Sequence, residues 1–351
     1  MSDMLNRLLR PPIRFFFDNI YLHIPLHLKT LWFFCKQYFI EGWNEIKEND
    51  KIKKDWSPLT EKLSTFTRAD YNALLNFCTE DATSLQEAAY TRDVYCEFIN
   101  LVTTLNLQKN VSLSIKMSQF GCFAPDGLLD AFGRDTATYV VRYARQRNIA
   151  VVFDGERLQH APAVKTFVRE LAQRYPNIAI RLQGYDPHFI EETTRFVETN
   201  IKMGIIIPIS VCKGAYDEPD GLSAKETEVH IRWAAQYCRR VDYPIEVDTN
   251  DGELIRTARS ISVGMLYGIK PALAKQLKQE GYRVHIYFPV ITKTQNDEQN
   301  PRWEKFAIRR LVERPLYLLY PFKSLLDRLL GRNSYFGHKN KRKNKGCTFR
   351  S

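Results

Sequence analysis

Six positions in this sequence carry groups able to hold an anion, a proton or a planar cofactor, and they recur at even intervals. Lys116, Asp154, Gln183, Lys213, the Asp248-Thr249-Asn250 group and Tyr287 each end a short apolar run. The steps from Lys116 to Asp154, Gln183 and Lys213 are 38, 29 and 30 residues. A second cluster lies downstream. Phe306, Arg309, Arg310 and Glu313 share one face of a helical pattern, three or four residues apart. Two adjacent guanidinium groups suit a carboxylate, which Arg binds with a planar fork. Plainer alternatives stay open at this point: solvated strand ends for the first group, and an exposed Arg–Glu pair worth a few tenths of a kcal/mol for the second.

The apolar runs are Ala73–Thr79, Val111–Met117, Ile149–Asp154, Ile178–Gln183, Ile205–Lys213, Pro244–Asn250, Ser262–Gly268 and Arg283–Pro289. Between them lie amphipathic stretches, clearest at Thr83–Leu105, Leu128–Arg147, Ala161–Tyr175, Pro187–Met203 and Ser223–Arg239. Pro187 suits a first helical turn, with Asp186 as its N-cap. Eight strand-plus-helix units predict a parallel (β/α)8 barrel, with a doubly wound open sheet as the runner-up. In such a barrel the C-terminal strand ends share one mouth, so the six groups converge there. The predicted organisation is an N-terminal helical, aromatic-rich extension over 1–60 with a charged linker at Lys47–Asp55, the barrel over 61–314, and an amphipathic segment with a basic tail over 315–351.

Composition narrows the function classes. A hydrophobic fraction of 44% over 351 residues excludes wholesale disorder. Seven cysteines with no Cys-x-x-Cys pair argue against a disulfide framework or zinc knuckle and for a reducing compartment. From Arg302 onward there are 14 Lys/Arg and 3 Asp/Glu, which accounts for the whole net charge of +11. This confines any anionic macromolecular partner to the tail and argues against a nucleic-acid-binding body. His23 and His27 flank Pro25, which argues against a metal-binding helix, and no metal site is expected. There is no Gly-x-Gly and no Walker A motif, so neither a Rossmann fingerprint nor a P-loop is present. Phe15–Ile40, the most apolar region, is cut by Asp18, Pro25, Lys29 and Lys36, short of a membrane span or a secretory signal.

Read together, Val111–Gly121 (VSLSIKMSQFG), Val152–Glu156 (VFDGE), Leu182–Asp186 (LQGYD), Val211–Tyr216 (VCKGAY), Leu266–Gly268 (LYG) and Ile308–Glu313 (IRRLVE) have the order and spacing of the proline dehydrogenase family. The resemblance runs from about Cys78 to Arg314. It implies a flavin-containing (β/α)8 barrel that oxidises L-proline, or a related cyclic imino acid, to pyrroline-5-carboxylate and passes electrons to quinone. Carried over by position, Lys116, Arg309 and Arg310 resemble substrate-site cations, Tyr287 the wall of the proline ring, and Asp154 an acid of the site. Asp154, Lys116 and Tyr287 are the expected catalytic group. Phe153, Gln183, Lys213, Gly214, Ala215, Thr249 and Asn250 match positions that contact FAD. Glu313 resembles the partner that orients the arginine pair, counted with the cofactor site.

The sequence departs from the family pattern at three positions and in one length. Ser210 stands where an arginine near the flavin is usual, which should lower the flavin potential. Thr249-Asn250-Asp251 replaces Thr-His-Asn, and Phe306 replaces a tyrosine. The stretch between Tyr287 and Arg309 is longer than usual. These departures support a second expectation, a catalytically degenerate barrel binding FAD or an amino acid as a membrane-associated sensor or scaffold. The expected location is cytoplasmic, or peripheral on the inner face of a membrane. Two segments could meet an anionic bilayer there: Phe15–Ile40, or Pro315–Gly331 followed by the lysine-rich tail. The leucine face of the latter could equally cap the barrel.

Overall fold

The computed structural model describes residues 44–47, 56–121, 130–214, 216 and 218–293. Ala215, Phe306, Arg309, Arg310, Glu313, Phe15–Ile40 and the 315–351 segment lie outside the described residues. The strands are β1 (Asn44–Lys47), β2 (Asn72–Phe77), β3 (Val111–Ile115), β4 (Val151–Phe153), β5 (Ile178–Gln183), β6 (Ile209–Cys212), β7 (Ile245–Asp248), β8 (Ser262–Leu266) and β9 (Arg283–Lys293). From β2 to β9 each pairs in parallel with the next, and β9 also pairs with β2 through Leu74↔Tyr287. The eight apolar runs thus close into a barrel, and the open sheet is excluded.

Two details extend the sequence reading. β9 continues past Pro289, the end of the last apolar run, to Lys293. Val290–Lys293 pair with β1, on the edge of β9 opposite β2, beyond the point where β8 ends at Leu266↔Tyr287. A strand therefore lies inside the extension expected to be helical.

The helices among the described residues are α1 (Ser57–Arg68), α2 (Leu85–Thr104), α3 (Ala131–Arg145), α4 (Ala161–Ala172), α5 (Phe189–Lys202), α6 (Ala224–Arg240), α7 (Gly252–Ala258) and α8 (Pro271–Gln279). α1 runs across the boundary placed at residue 60. Side-chain caps fix the starts of several helices. Ser84 Oγ accepts from Glu87 N at 3.2 Å, Asp130 Oδ1 from Gly133 N at 2.6 Å, and Ser223 and Glu226 form a reciprocal capping box. α5 begins later than predicted. Its N-cap is His188, and Asp186 Oδ1 instead accepts the His188 N–H at 2.9 Å, turning the chain before the helix.

Strand parity divides the barrel into two unlike faces. Leu75, Leu113, Val151, Ile180, Val211, Val247, Val263 and Ile286 point outward and are buried against the helices. The alternate residues, among them Asn76, Ser114, Arg181, Ser210, Glu246, Asp248, His285 and Tyr287, point inward. The apolar core is the sleeve between strands and helices, and the interior is polar.

Phe153, expected at the cofactor, turns its ring away from the interior. It is fully buried in the sleeve, edge-on to Phe167 of α4 at 6.1 Å between centroids. Asp154 faces in, so its neighbour must face out. That packing carries an expected outcome. Phe153→Ala should cost about 3–5 kcal/mol by leaving a cavity. Chemical denaturation followed by circular dichroism would register that loss.

Candidate active site

The interior is organised around Arg181 on β5. Its Nη1 lies 2.5 Å from Asp154 Oδ1 and its Nε 2.5 Å from Asp248 Oδ2, with the side chain 8% exposed. The Tyr287 hydroxyl donates to Asp154 Oδ2 at 3.0 Å, and the guanidinium carbon sits 5.3 Å from the centre of the Tyr287 ring. Four strands therefore meet in one cluster: β5, the end of β4, β7 and β9. Burial opposes ionisation of Asp154, but Arg181, Lys116 and the Tyr287 hydroxyl outweigh it and hold the carboxyl below its usual range. Burial likewise penalises the Arg181 guanidinium, and Asp154 and Asp248 keep it charged.

Lys116 follows β3 and is 2% exposed. Its ammonium is ion-paired with Glu80, which follows the adjacent β2. Lys116 N donates to Gln119 Oε1 at 2.8 Å, fixing the turn that presents the side chain. Lys116, Asp154 and Tyr287, the expected catalytic group, are thus gathered at one place. Lys116 and Tyr287 both act on Asp154.

One layer deeper lies an acidic pair. Glu246 Oε2 is bonded to His285 Nδ1 and accepts from Ser262 Oγ at 2.7 Å. Burial opposes the Glu246 charge, but His285 and Ser262 hold the carboxyl low. Burial and the nearby Glu246 push Asp248 up, despite Arg181. Room for the pair comes from Gly264, the register partner of Asp248. A Cβ there would lie 2.1 Å from Asp248 Oδ1 and 3.2 Å from Glu246 Oε1.

The expected cofactor residues Gln183, Lys213, Gly214, Thr249 and Asn250 are each held or hemmed in by a neighbour. Gln183 Nε2 donates to the Glu156 carbonyl, and its Oε1 accepts from Tyr185 OH at 3.2 Å. Gly214 has φ +105°, and a Cβ there would strike the Tyr185 ring at 1.6 Å. Lys213 Nζ lies 2.6 Å from Glu228 Oε1 and 3.5 Å from Asp251 Oδ2, with the side chain 24% exposed. Thr249 Oγ1 accepts from Asp251 N at 3.2 Å, and Asn250 Oδ1 from Leu266 N at 3.2 Å. Asp251 in turn caps α7.

A pocket runs from Asp154, Arg181 and Gln183 outward between the first turns of α4 and α5, past Lys165 and Phe189. Glu156 lines it, and its carboxylate accepts the Ser118 N–H at 3.1 Å. Burial pushes the Glu156 carboxyl up to about 7 despite that bond.

Sequence reasoning passed over Arg181, Glu246, His285, Glu80 and Glu156. Three of these interrupt apolar strands in mid-run, at the parity of Gln183, Asp248 and Tyr287. That parity was the available signal. Glu80 and Glu156 stand just beyond strand ends and were readable as loop residues only.

Comparison with known proteins follows the same lines. The proline dehydrogenase family profile matches residues 59–235. Proline dehydrogenase 1 of Bacillus subtilis (strain 168) is 22% identical over 324 residues, covering 87% of this chain and 99% of the relative. Proline dehydrogenase 2 of the same organism is 20% identical over 256 residues, covering 69% and 78%. Among solved structures, proline utilization A (PutA) from Bdellovibrio bacteriovorus, inactivated by N-propargylglycine, superposes with TM-score 0.63 at 16% identity, over 79% of this chain and 34% of that one. PutA from Corynebacterium freiburgense gives 0.58 at 15%, over 79% and 32%. The chain thus spans about a third of those solved chains, and the likeness is one of fold.

The raised Glu156 carboxyl has a consequence for stability. A carboxyl whose folded pKa exceeds its unfolded value near 4.5 favours the native state at low pH, and that advantage is lost as pH rises toward about 7. Glu156→Gln keeps an acceptor for Ser118 and removes the titration. Relative to wild type, the variant should gain about 1–3 kcal/mol on going from pH 5 to pH 8. Urea unfolding at the two pH values measures this.

Proposed function

The chain belongs to the proline dehydrogenase family, and from that premise we propose that it is an FAD-dependent dehydrogenase oxidising L-proline, or a related cyclic imino acid, to pyrroline-5-carboxylate. The observation that carries the reading is the convergence of Lys116, Asp154 and Tyr287 around Arg181 in a polar barrel interior. An apolar interior would argue for a packed scaffold; this one is lined by charge.

The residues fit a flavin. Inside the barrel the buried hydroxyls of Ser114 and Ser210 have no hydrogen-bond partner among the described residues, so a ring bearing donors and acceptors would satisfy them. At the rim, part-exposed Lys213, paired with Glu228 and more loosely with Asp251, carries the charge a phosphate requires. Gln183, Lys213, Gly214, Thr249 and Asn250 would hold the group, with Ala215 beyond the described residues. When bound, the flavin supplies two-electron oxidation of the carbon–nitrogen bond.

The chain's own residues do the rest. Asp154, held ionised, offers a fixed negative charge toward a cationic ring nitrogen. Tyr287, tethered to Asp154, walls the ring and excludes water. Lys116 and the Arg309–Arg310 pair receive the carboxylate, with Glu313 orienting the pair. Electrons then pass to quinone, with the basic 315–351 segment or Phe15–Ile40 meeting an anionic membrane surface. No helix among the described residues is long and apolar enough to cross a membrane.

One observation favours a second reading, a barrel that binds flavin or an amino acid without turnover: Lys116, Arg181 and Lys213 are each already paired with carboxylates. The visible spectrum of the purified protein separates the two. Bound flavin that bleaches on anaerobic addition of L-proline is expected. Flavin that stays oxidised favours the binding role, and absence of flavin removes the enzyme and leaves only amino-acid binding. The carboxylate role has its own check. Arg310→Ala should weaken binding of a proline-like ring carboxylate about tenfold, the loss of one charge-assisted bond of roughly 1.5–3 kcal/mol. Unchanged affinity by calorimetric titration would take the arginine pair out of the site.

A further inference from the structure

Ser210 stands where the family resemblance leads one to expect an arginine. Its side chain is inside the barrel, 6% exposed, with an unpartnered hydroxyl. Its register partner on the neighbouring strand is Arg181. Adjacent strands lie about 4.8 Å apart, so a guanidinium on β5 can serve much of the volume that one on β6 would serve. Arg181 does reach across the interior, touching Asp154 on one side and Asp248 on the other. Ser210 itself is uncharged, and an arginine at 210 would set two guanidinium groups on neighbouring strands.

We propose that Arg181 is a positioning residue that supplies from β5 the interior cation absent at Ser210 of β6, and that it acts on the site by fixing Asp154 and, through Asp154, Tyr287. The proposal rests on the oxidoreductase reading for its functional part, and on the ion-pair geometry alone for its structural part. A planar fork is what the position requires. Nη1 and Nε serve carboxylates on two different strands at once, leaving the face of the guanidinium toward Tyr287. The tether from Tyr287 to Asp154 depends on where Asp154 is held, so loss of Arg181 releases both groups.

An exchange of the two side chains tests this. Four full-length proteins are compared: wild type, Arg181→Ser, Ser210→Arg and the double exchange. Thermal midpoint is one readout. The dissociation constant of a proline-like ring carboxylate is the other, measured by calorimetry at a temperature where all four are folded. Arg181→Ser should lower the midpoint by roughly 5–15 °C, because it leaves two buried carboxylates without their cation. It should also weaken the ligand about tenfold or more. Ser210→Arg alone should bring no gain in either. The double exchange should regain at least half of the midpoint loss and bring affinity back to within about threefold of wild type. A merely structural Arg181 would leave affinity unmoved among folded variants. That result, or a double exchange no better than Arg181→Ser, overturns the proposal. If Arg181→Ser gives no cooperative melt, Arg181→Gln with and without Ser210→Arg carries the same comparison. A wild type that holds no flavin and binds no ring carboxylate ends the oxidoreductase reading, and the midpoints then decide the cation exchange by themselves.

Discussion

A guanidinium taken out of water must be matched by negative charge close at hand, and in this barrel that requirement falls on Arg181. Isolated, it would be among the costliest groups a fold can bury. Set between Asp154 and Asp248, it becomes the link through which β4, β5 and β7 hold the interior in one arrangement, and Tyr287 extends the link to β9. The consequence is local fixity. Each carboxylate oxygen facing Arg181 is committed, and the ionised state of Asp154 follows from its surroundings.

The rest of the barrel can be seen as what allows such a cluster to exist. Apolar side chains are spent on the outer faces of the strands, where helices cover them, and the fold draws its hydrophobic stabilisation from that sleeve. The interior is thereby free to carry charge. In a barrel whose interior was packed with branched aliphatic residues, the same strand ends would be anchors without a site. Here the deeper Glu246–His285 pair and the upper Lys116–Glu80 pair enclose the Arg181 cluster from both ends. Glu246 and Asp248 nonetheless stay close neighbours, and the raised Asp248 carboxyl reflects it.

Much of this was legible in the sequence. The eight strands stand where the apolar runs predicted them, because a strand buried on its helix-facing side must be apolar there and must end where polar groups begin. Lys116, Asp154 and Tyr287 could be placed at one mouth because each reads as the polar end of an apolar run in a parallel barrel. Arg181 could not, since it lies within a run rather than at its end, and only the register shows that it faces Asp154 across the interior. Phe153 went the other way. Family position suggested a cofactor contact, while the alternation around Asp154 already required its ring to face the helices. The last apolar run ends at Pro289, yet the strand goes on to Lys293 because β1 pairs with it there.

Gly264 shows what such packing asks of a lineage. The bare Cα opposite Asp248 is the space that the acidic pair occupies. Neither position can change freely while the other stays. A side chain restored at 264 would have to coincide with a smaller residue at 248, and with Asp248 gone Arg181 would lose one of its two anchors. Drift at these three sites is therefore constrained to concerted steps, and relatives that differ at one of them should differ at the others.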